Sequence, residues 1–119
     1  MAFLGKILME KINDLTSVKL DILVAEAIGI DVFYPDNHNK LSYFPREGIP
    51  PREWAPSRFW SQGGPLLEQY KIDLNWGWEE MSEWTASIEP DINVQGATVL
   101  EAAMRALVCL KLPDYIQSE

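Results

Sequence analysis

The stretch Trp54-Ala-Pro-Ser-Arg-Phe-Trp-Ser-Gln-Gly-Gly-Pro-Leu-Leu-Glu-Gln-Tyr70 holds four aromatic residues, two prolines and a Gly-Gly pair. This order predicts a loop that leads into a helix. Pro56 and Ser57 are typical of a helix start, since a serine hydroxyl accepts hydrogen bonds from the free N–H groups of a first turn. The glycines are expected to loosen the backbone before the second proline, and the leucines that follow would face a core.

The aromatic residues of this stretch have two interpretations. Because tryptophan carries a large apolar surface, the five tryptophans of the chain are expected mostly in the core. They are Trp54, Trp60, Trp76, Trp78 and Trp84. The alternative is that Trp54, Phe59 or Trp60 lines a groove for a flat ligand or a partner protein.

The polar residues of the same stretch also have two interpretations. Ser57, Arg58, Gln62, Gly63 and Gly64 are candidates for an anion site, in which free backbone N–H groups cradle the anion and the guanidinium pairs with it. The alternative is a glycine break that only allows close packing, because no second basic residue stands beside Arg58.

Apolar spacing outside this stretch predicts two more helices and two hairpins. Residues 17–28 follow the i, i+3, i+4, i+7 pattern, and residues 99–111 follow the capping-box pair Thr98 and Glu101. Alternating or β-prone residues predict strands 30–34, 41–44, 72–78 and 84–88, with loops at 45–56 and 90–96.

This order of elements predicts an α+β fold with a mainly antiparallel four-stranded sheet covered by helices, since each apolar face must be buried. Residues 1–15 are expected to form an N-terminal arm or a short helix. Residues 16–119 are expected to form a single domain, and a chain of this length can bury roughly two-thirds of its unfolded surface without cross-links.

The net charge of the chain limits the kinds of partner that it can be expected to bind. Eighteen acidic and ten basic residues give a net charge of -8. Binding to duplex nucleic acid depends on Lys and Arg at the phosphates, so we expect this acidic chain not to bind it directly. A basic protein surface is a more natural partner, although acids spread along the whole chain also suit a well-solvated surface.

One cysteine, Cys109, and one histidine exclude an internal disulfide and a Cys/His zinc site within one chain. We therefore expect no metal and no cofactor. No apolar run approaches the roughly 20 residues of a membrane span, and the first residues do not resemble a secretion signal, which predicts the cytoplasm and no membrane partner.

Motifs of common enzyme classes are absent from the sequence. There is no Gly-x-Ser-x-Gly elbow, phosphate loop, dinucleotide glycine motif or His-Glu-x-x-His pair. No residue is therefore nominated as catalytic, and an enzyme is the least favoured class.

Four segments of the chain resemble one known family. They are residues 20–29, 56–68, 84–86 and 97–108, and their most specific pattern is Ser-x-x-Trp-x-x-Gly-Gly-Pro. They are similar to the NinX-like phage proteins of unknown function, grouped with the phage ABA-sandwich domains. The chain departs from the family pattern at Arg58 and Phe59, where Thr-Asp is usual. The resemblance implies a phage or prophage gene product with an alpha-beta-alpha sandwich, and it implies no catalytic residues.

Three functions follow as hypotheses. The first is a phage accessory protein in the cytoplasm of the bacterial host that binds a host or viral protein without catalysis, with counter-defence, such as anti-CRISPR inhibition, as a special case. The second is a small-ligand binder or nucleotide sequesterer. The third is an enzyme without a recognisable motif. A homodimer is compatible with each of them.

Overall fold

Helices and short strands follow one another along the part of the chain that the computed structural model describes, which is Ile12 and residues 17–35, 39–77 and 83–113. The elements in order are α1 (Ser17–Ile28), β1 (Ser42–Tyr43), β2 (Arg52–Glu53), α2 (Trp60–Gln69), β3 (Asp73–Trp76), β4 (Trp84–Ile88), β5 (Ile92–Gly96) and α3 (Val99–Lys111). The α+β class is confirmed. The predicted N-terminal arm lies outside the described residues apart from Ile12, which packs against the core.

Helix α3 has the predicted bounds and provides the centre of the core. The Thr98 hydroxyl accepts from the Glu101 N–H at 3.1 Å, and the Glu101 carboxylate accepts from the Ala97 N–H at 2.8 Å. The first bond satisfies a backbone donor that a helix start leaves free, and the second satisfies the N–H of the residue before the cap. Met104 and Leu107 are fully buried. Helix α1 also has its predicted bounds.

The larger sheet has three antiparallel strands in the order β3-β4-β5. The predicted pairing of β3 with β4 is confirmed, while its connection lies partly outside the described residues. The predicted loop 90–96 is wrong, because it contains β5, which pairs with β4 from Ile88↔Ile92 to Trp84↔Gly96. Only Ile92 and Val94 carry the apolar alternation there, so the signal for a strand is weak.

The two faces of this sheet differ in polarity. Ala86, Ile88 and Val94 are buried on the face against which α3 lies, and α1 and α2 pack in turn on α3. The opposite face presents polar side chains. They are Asp73, Asn75, Thr85, Ser87, Asn93 and Gln95.

The predicted four-stranded sheet is wrong, because the remaining strands form a separate pair, β1 with β2. A hairpin of residues 30–34 with 41–44 was predicted, and the structure has a single bridge there. In it Phe33 and Ser42 exchange backbone hydrogen bonds of 2.9 and 2.8 Å. Strand β1 continues on its other side with β2, inside the segment predicted as the loop 45–56. The described helices lie on the apolar face of the three-stranded sheet, and the polar alternation of the other face gives it no apolar surface to bury.

No helix within the described ranges is both long enough and apolar enough to cross a bilayer.

Candidate functional site

The loop before α2 is hydrogen-bonded to α1 through Asp21, which is 1% exposed. The Trp54 indole N–H donates to the Asp21 carbonyl oxygen at 2.8 Å. The Ser57 N–H donates to Asp21 Oδ1 at 2.9 Å, and the Ser57 hydroxyl donates to Oδ2 at 3.1 Å. Burial raises the pKa of the Asp21 carboxyl, while the two hydrogen bonds from Ser57 and the nearby Arg58 charge oppose this rise.

Trp54 and Ser57 therefore connect this loop to α1, and the predicted capping role of Ser57 is wrong. Helix α2 begins at Trp60, with Phe59 at the cap position and no side-chain capping bond. The Ser57 hydroxyl donates to a buried carboxylate from another helix, which is a long-range partner that local sequence patterns do not reveal.

Gln62 is also used within the loop. Its amide oxygen accepts from the Ala55 N–H at 2.7 Å, and its amide nitrogen donates to the Glu53 carbonyl oxygen at 2.7 Å. Both ends of this side chain are thus engaged by the backbone that leads into α2.

Gly63 and Gly64 lie inside α2, followed by Pro65, so they do not form a break before a helix. A Cβ atom on Gly63 would collide with the carbonyl oxygen of Pro56 and would lie 2.9 Å from Leu100 Cδ2. A Cβ on Gly64 would meet only Trp60 Cε3, at 3.4 Å. Gly63 is therefore required by close packing, which is the alternative left open by the sequence.

Arg58, Phe59 and Trp60 form the more exposed part of the stretch. The Arg58 guanidinium lies 2.8 Å from Glu53 Oε2 and 5.4 Å from the centroid of the Phe59 ring. Half of the Arg58 side chain remains exposed. Trp60 is 59% exposed although it opens a helix, so its indole is the largest side chain that the stretch presents to solvent.

A cleft of about 440 Å³ opens beside these residues, and we call it the tryptophan cleft. The described residues that line it are Ser57, Arg58, Trp60, Trp84, Ala97, Thr98, Val99 and Leu100. The Trp84 ring also packs edge-on against the Trp76 ring with centroids 5.4 Å apart, and Trp76 is 38% exposed. Aromatic surface therefore extends from the start of α2 across the start of β4 to the end of β3.

The chemistry of the tryptophan cleft combines two indole walls, a guanidinium at the rim and the first turn of α3. Backbone N–H groups of a first helical turn carry partial positive charge and favour anions. Part of that capacity is already used, since the Glu101 N–H of the first turn donates to the Thr98 hydroxyl. Among the described residues, no group of three His, Cys, Asp or Glu side chains could hold a metal ion.

Of the eight residues nominated from the sequence, Ser57, Arg58 and Trp60 line the tryptophan cleft. Sequence reasoning did not nominate Trp84 or the start of α3 for the site. The alternation of Trp84 with Ala86 and Ile88 indicated a buried strand face, and nothing local showed that Trp84, the first residue of β4, would remain partly exposed.

The fold and the cleft define a small acidic α+β protein with an aromatic surface at one end of its sheet. The profile of the family described as Bacteriophage P22, NinX matches residues 11–111. The chain therefore belongs to this phage protein family, as the resemblance implied. No curated protein matches the chain.

Proposed function

We propose that this phage protein is an accessory factor that binds a host or phage protein without catalysis, and that the tryptophan cleft is its contact surface. The observation that carries the proposal is the 59% exposure of Trp60 beside a cleft walled by Trp84. Tryptophan is enriched among the residues that dominate binding energy at protein interfaces. Because more than half of Trp60 is exposed to water beside the cleft, burying its indole against a partner contributes apolar transfer energy to binding.

The size of this gain can be worked from the exposed area. A tryptophan side chain buries up to about 250 Å², so the 59% exposure of Trp60 corresponds to roughly 150 Å². At about 25 cal/mol per Å² this area is worth about 4 kcal/mol of apolar transfer energy. A substitution by alanine that loses about 2 kcal/mol of this weakens binding about 30-fold.

The experiment is affinity purification of the tagged full chain from a phage-infected or lysogenic host, followed by mass spectrometry and a binding titration with the retained protein. Trp60→Ala is compared with Tyr34→Ala, since Tyr34 is also exposed, at 52%, and lies outside the cleft. We expect a stoichiometric partner that Trp60→Ala loses and Tyr34→Ala keeps. Equal retention by both variants would refute the cleft as the contact surface.

A host immune protein, such as a CRISPR effector, is the special case in which occlusion of the partner would serve counter-defence. The charge of -8 supports a partner with a basic surface. The identity of the captured protein, followed by an assay of its activity with and without the phage protein, tests this case.

A small anionic ligand with a flat ring, such as a nucleotide, is the second candidate. The same cleft favours it, because Trp60 and Trp84 offer stacking surfaces while Arg58 and the start of α3 offer positive charge. The ion pair of Arg58 with Glu53 competes with a bound anion, which makes protein binding the better supported function. A nucleotide released from the purified protein, and lost in Arg58→Ala, would reverse this order.

A further inference from the structure

The backbone groups of β3 alternate between its partner strand and the opposite edge, with which no strand of the described residues pairs. The Gly77 N–H donates to the Glu83 carbonyl oxygen at 2.8 Å, which marks this as a hydrogen-bonded pair. Hydrogen-bonded and non-hydrogen-bonded pairs alternate along antiparallel strands. In the register of β3 with β4, Asn75 therefore points its N–H and C=O toward β4, whereas Leu74 and Trp76 point theirs away from it.

The opposite edge of the sheet is closed at the corresponding position. The same alternation directs the Gln95 carbonyl of β5 away from β4. The guanidinium of Arg105, a residue that is 5% exposed, donates to this carbonyl oxygen at 2.6 Å. A charged side chain on an edge carbonyl is one way in which proteins block strand addition.

Strand β3 pairs only with β4 in the part of the chain that the structure describes. Asp73, Asn75 and Trp76 are exposed on it. We infer that the free edge of β3 binds an extended, basic segment of the partner protein, which adds to the sheet as a fourth strand. This inference rests on the proposed function and names the form of its partner.

The chemistry of the added strand follows from the two faces of β3. Side chains of neighbouring strands lie side by side on the same face, so one face of the segment meets Asp73 and the other meets Trp76. Lys or Arg suits the first position and an apolar residue suits the second. A second copy of this chain is disfavoured as the occupant, because each copy carries a charge of -8.

The first test is amide hydrogen exchange in the free full chain, followed residue by residue by NMR. We expect the Leu74 and Trp76 amides to exchange faster than those of Asn75 and Gly77, since the Asn75 N–H points toward β4 and the Gly77 N–H donates to Glu83 just before β4. Slow exchange at Leu74 and Trp76 would show that the edge is already covered and would overturn the inference.

The second test adds a synthetic peptide of alternating lysine and valine, with a glutamate–valine peptide as its charge control. We expect the lysine peptide to protect the Leu74 and Trp76 amides, and Asp73→Lys to weaken it about fivefold. Glu26→Lys is the matched variant, because Glu26 is an exposed acid on α1, and it should leave the affinity unchanged. Binding of both peptides alike, protection elsewhere or no binding would overturn the inference.

The two proposals fail in distinguishable ways. If Trp60→Ala loses a captured partner while Leu74 and Trp76 remain unprotected in the wild-type complex, the tryptophan cleft stands as the contact surface and strand addition is wrong. If the lysine peptide protects the two amides and Trp60→Ala keeps its partner, the edge stands and the role of the cleft is wrong.

Discussion

Asp21 fastens α1 to the loop before α2, and its substitution gives the sharpest test of how the site is held. Asp21→Ala removes the acceptor of the buried Ser57 N–H and the acceptor of the Ser57 hydroxyl. An unsatisfied buried donor costs about 1–3 kcal/mol and a lost hydrogen bond about 1 kcal/mol. We therefore expect Asp21→Ala to lower the free energy of unfolding by about 3 kcal/mol.

Asp21→Asn is the matched control, because an asparagine can accept from the Ser57 N–H and can position its NH₂ group at the Ser57 hydroxyl. It also removes the burial of a charge, so we expect the free energy of unfolding to change by less than about 1 kcal/mol. Ser57→Ala, which loses only the bond to Oδ2 at 3.1 Å, should cost about 1 kcal/mol. Urea unfolding followed by tryptophan fluorescence measures all three variants. Equal losses for the alanine and asparagine variants at position 21 would refute this account of the anchor.

The pH dependence of the same anchor has a definite sign. Burial raises the pKa of Asp21 in the folded protein above its ordinary value of 3.8. The folded state then holds the proton more tightly than the unfolded state, so the Asp21 contribution to stability is greatest below pH 3.8 and is lost as the pH rises through the folded pKa. The free energy of unfolding of Asp21→Asn minus that of the wild type should therefore increase from acid to neutral pH. A difference that stays flat or decreases would contradict the assigned direction.

Three further predictions concern packing, capping and reactivity. Gly63→Ala should destabilise the protein by about 2 kcal/mol or more, because the added Cβ collides with Pro56 and Leu100. Gly64→Ala should be neutral or stabilising by up to about 1 kcal/mol. Thermal unfolding measures both variants. Thr98→Ala should cost about 1 kcal/mol, with Thr98→Ser close to wild type, because the capping hydroxyl is what matters. Burial raises the pKa of Cys109 to about 11, so iodoacetamide should label it slowly in the native protein and rapidly in urea; equal rates would contradict its burial.

The parts of the fold that sequence could predict are those with local signals. Helices α1 and α3 have the predicted bounds, since the spacing of Leu20 and Val24 and the Thr98–Glu101 box are local features. Strand β5 was missed because only Ile92 and Val94 carry its pattern, and its pairing with β4 is what makes it a strand.

The candidate site was less predictable, because its residues are sorted by long-range contacts. Local sequence does not show that Ser57 meets a carboxylate 36 positions away, or that Trp84 from β4 forms a wall opposite α2. Arg58 and Trp60 could be predicted from the sequence, since charge and aromaticity at a helix start are visible locally. The residues that surround them in the fold could not be predicted in this way.

Trp54 and Trp60 show why the contact surface and the anchor can be tested separately. Trp54 is 4% exposed, its ring packs edge-on against Tyr43, and its indole N–H donates to the Asp21 carbonyl oxygen. Truncating Trp54 therefore removes buried surface and a hydrogen bond from the folded state. Trp60 is mostly in water in the free protein, so truncating it removes little that the folded state has gained relative to the unfolded state. The transfer energy of its indole is realised only when another surface covers it. Folding stability should therefore follow substitutions at Trp54, and affinity should follow substitutions at Trp60.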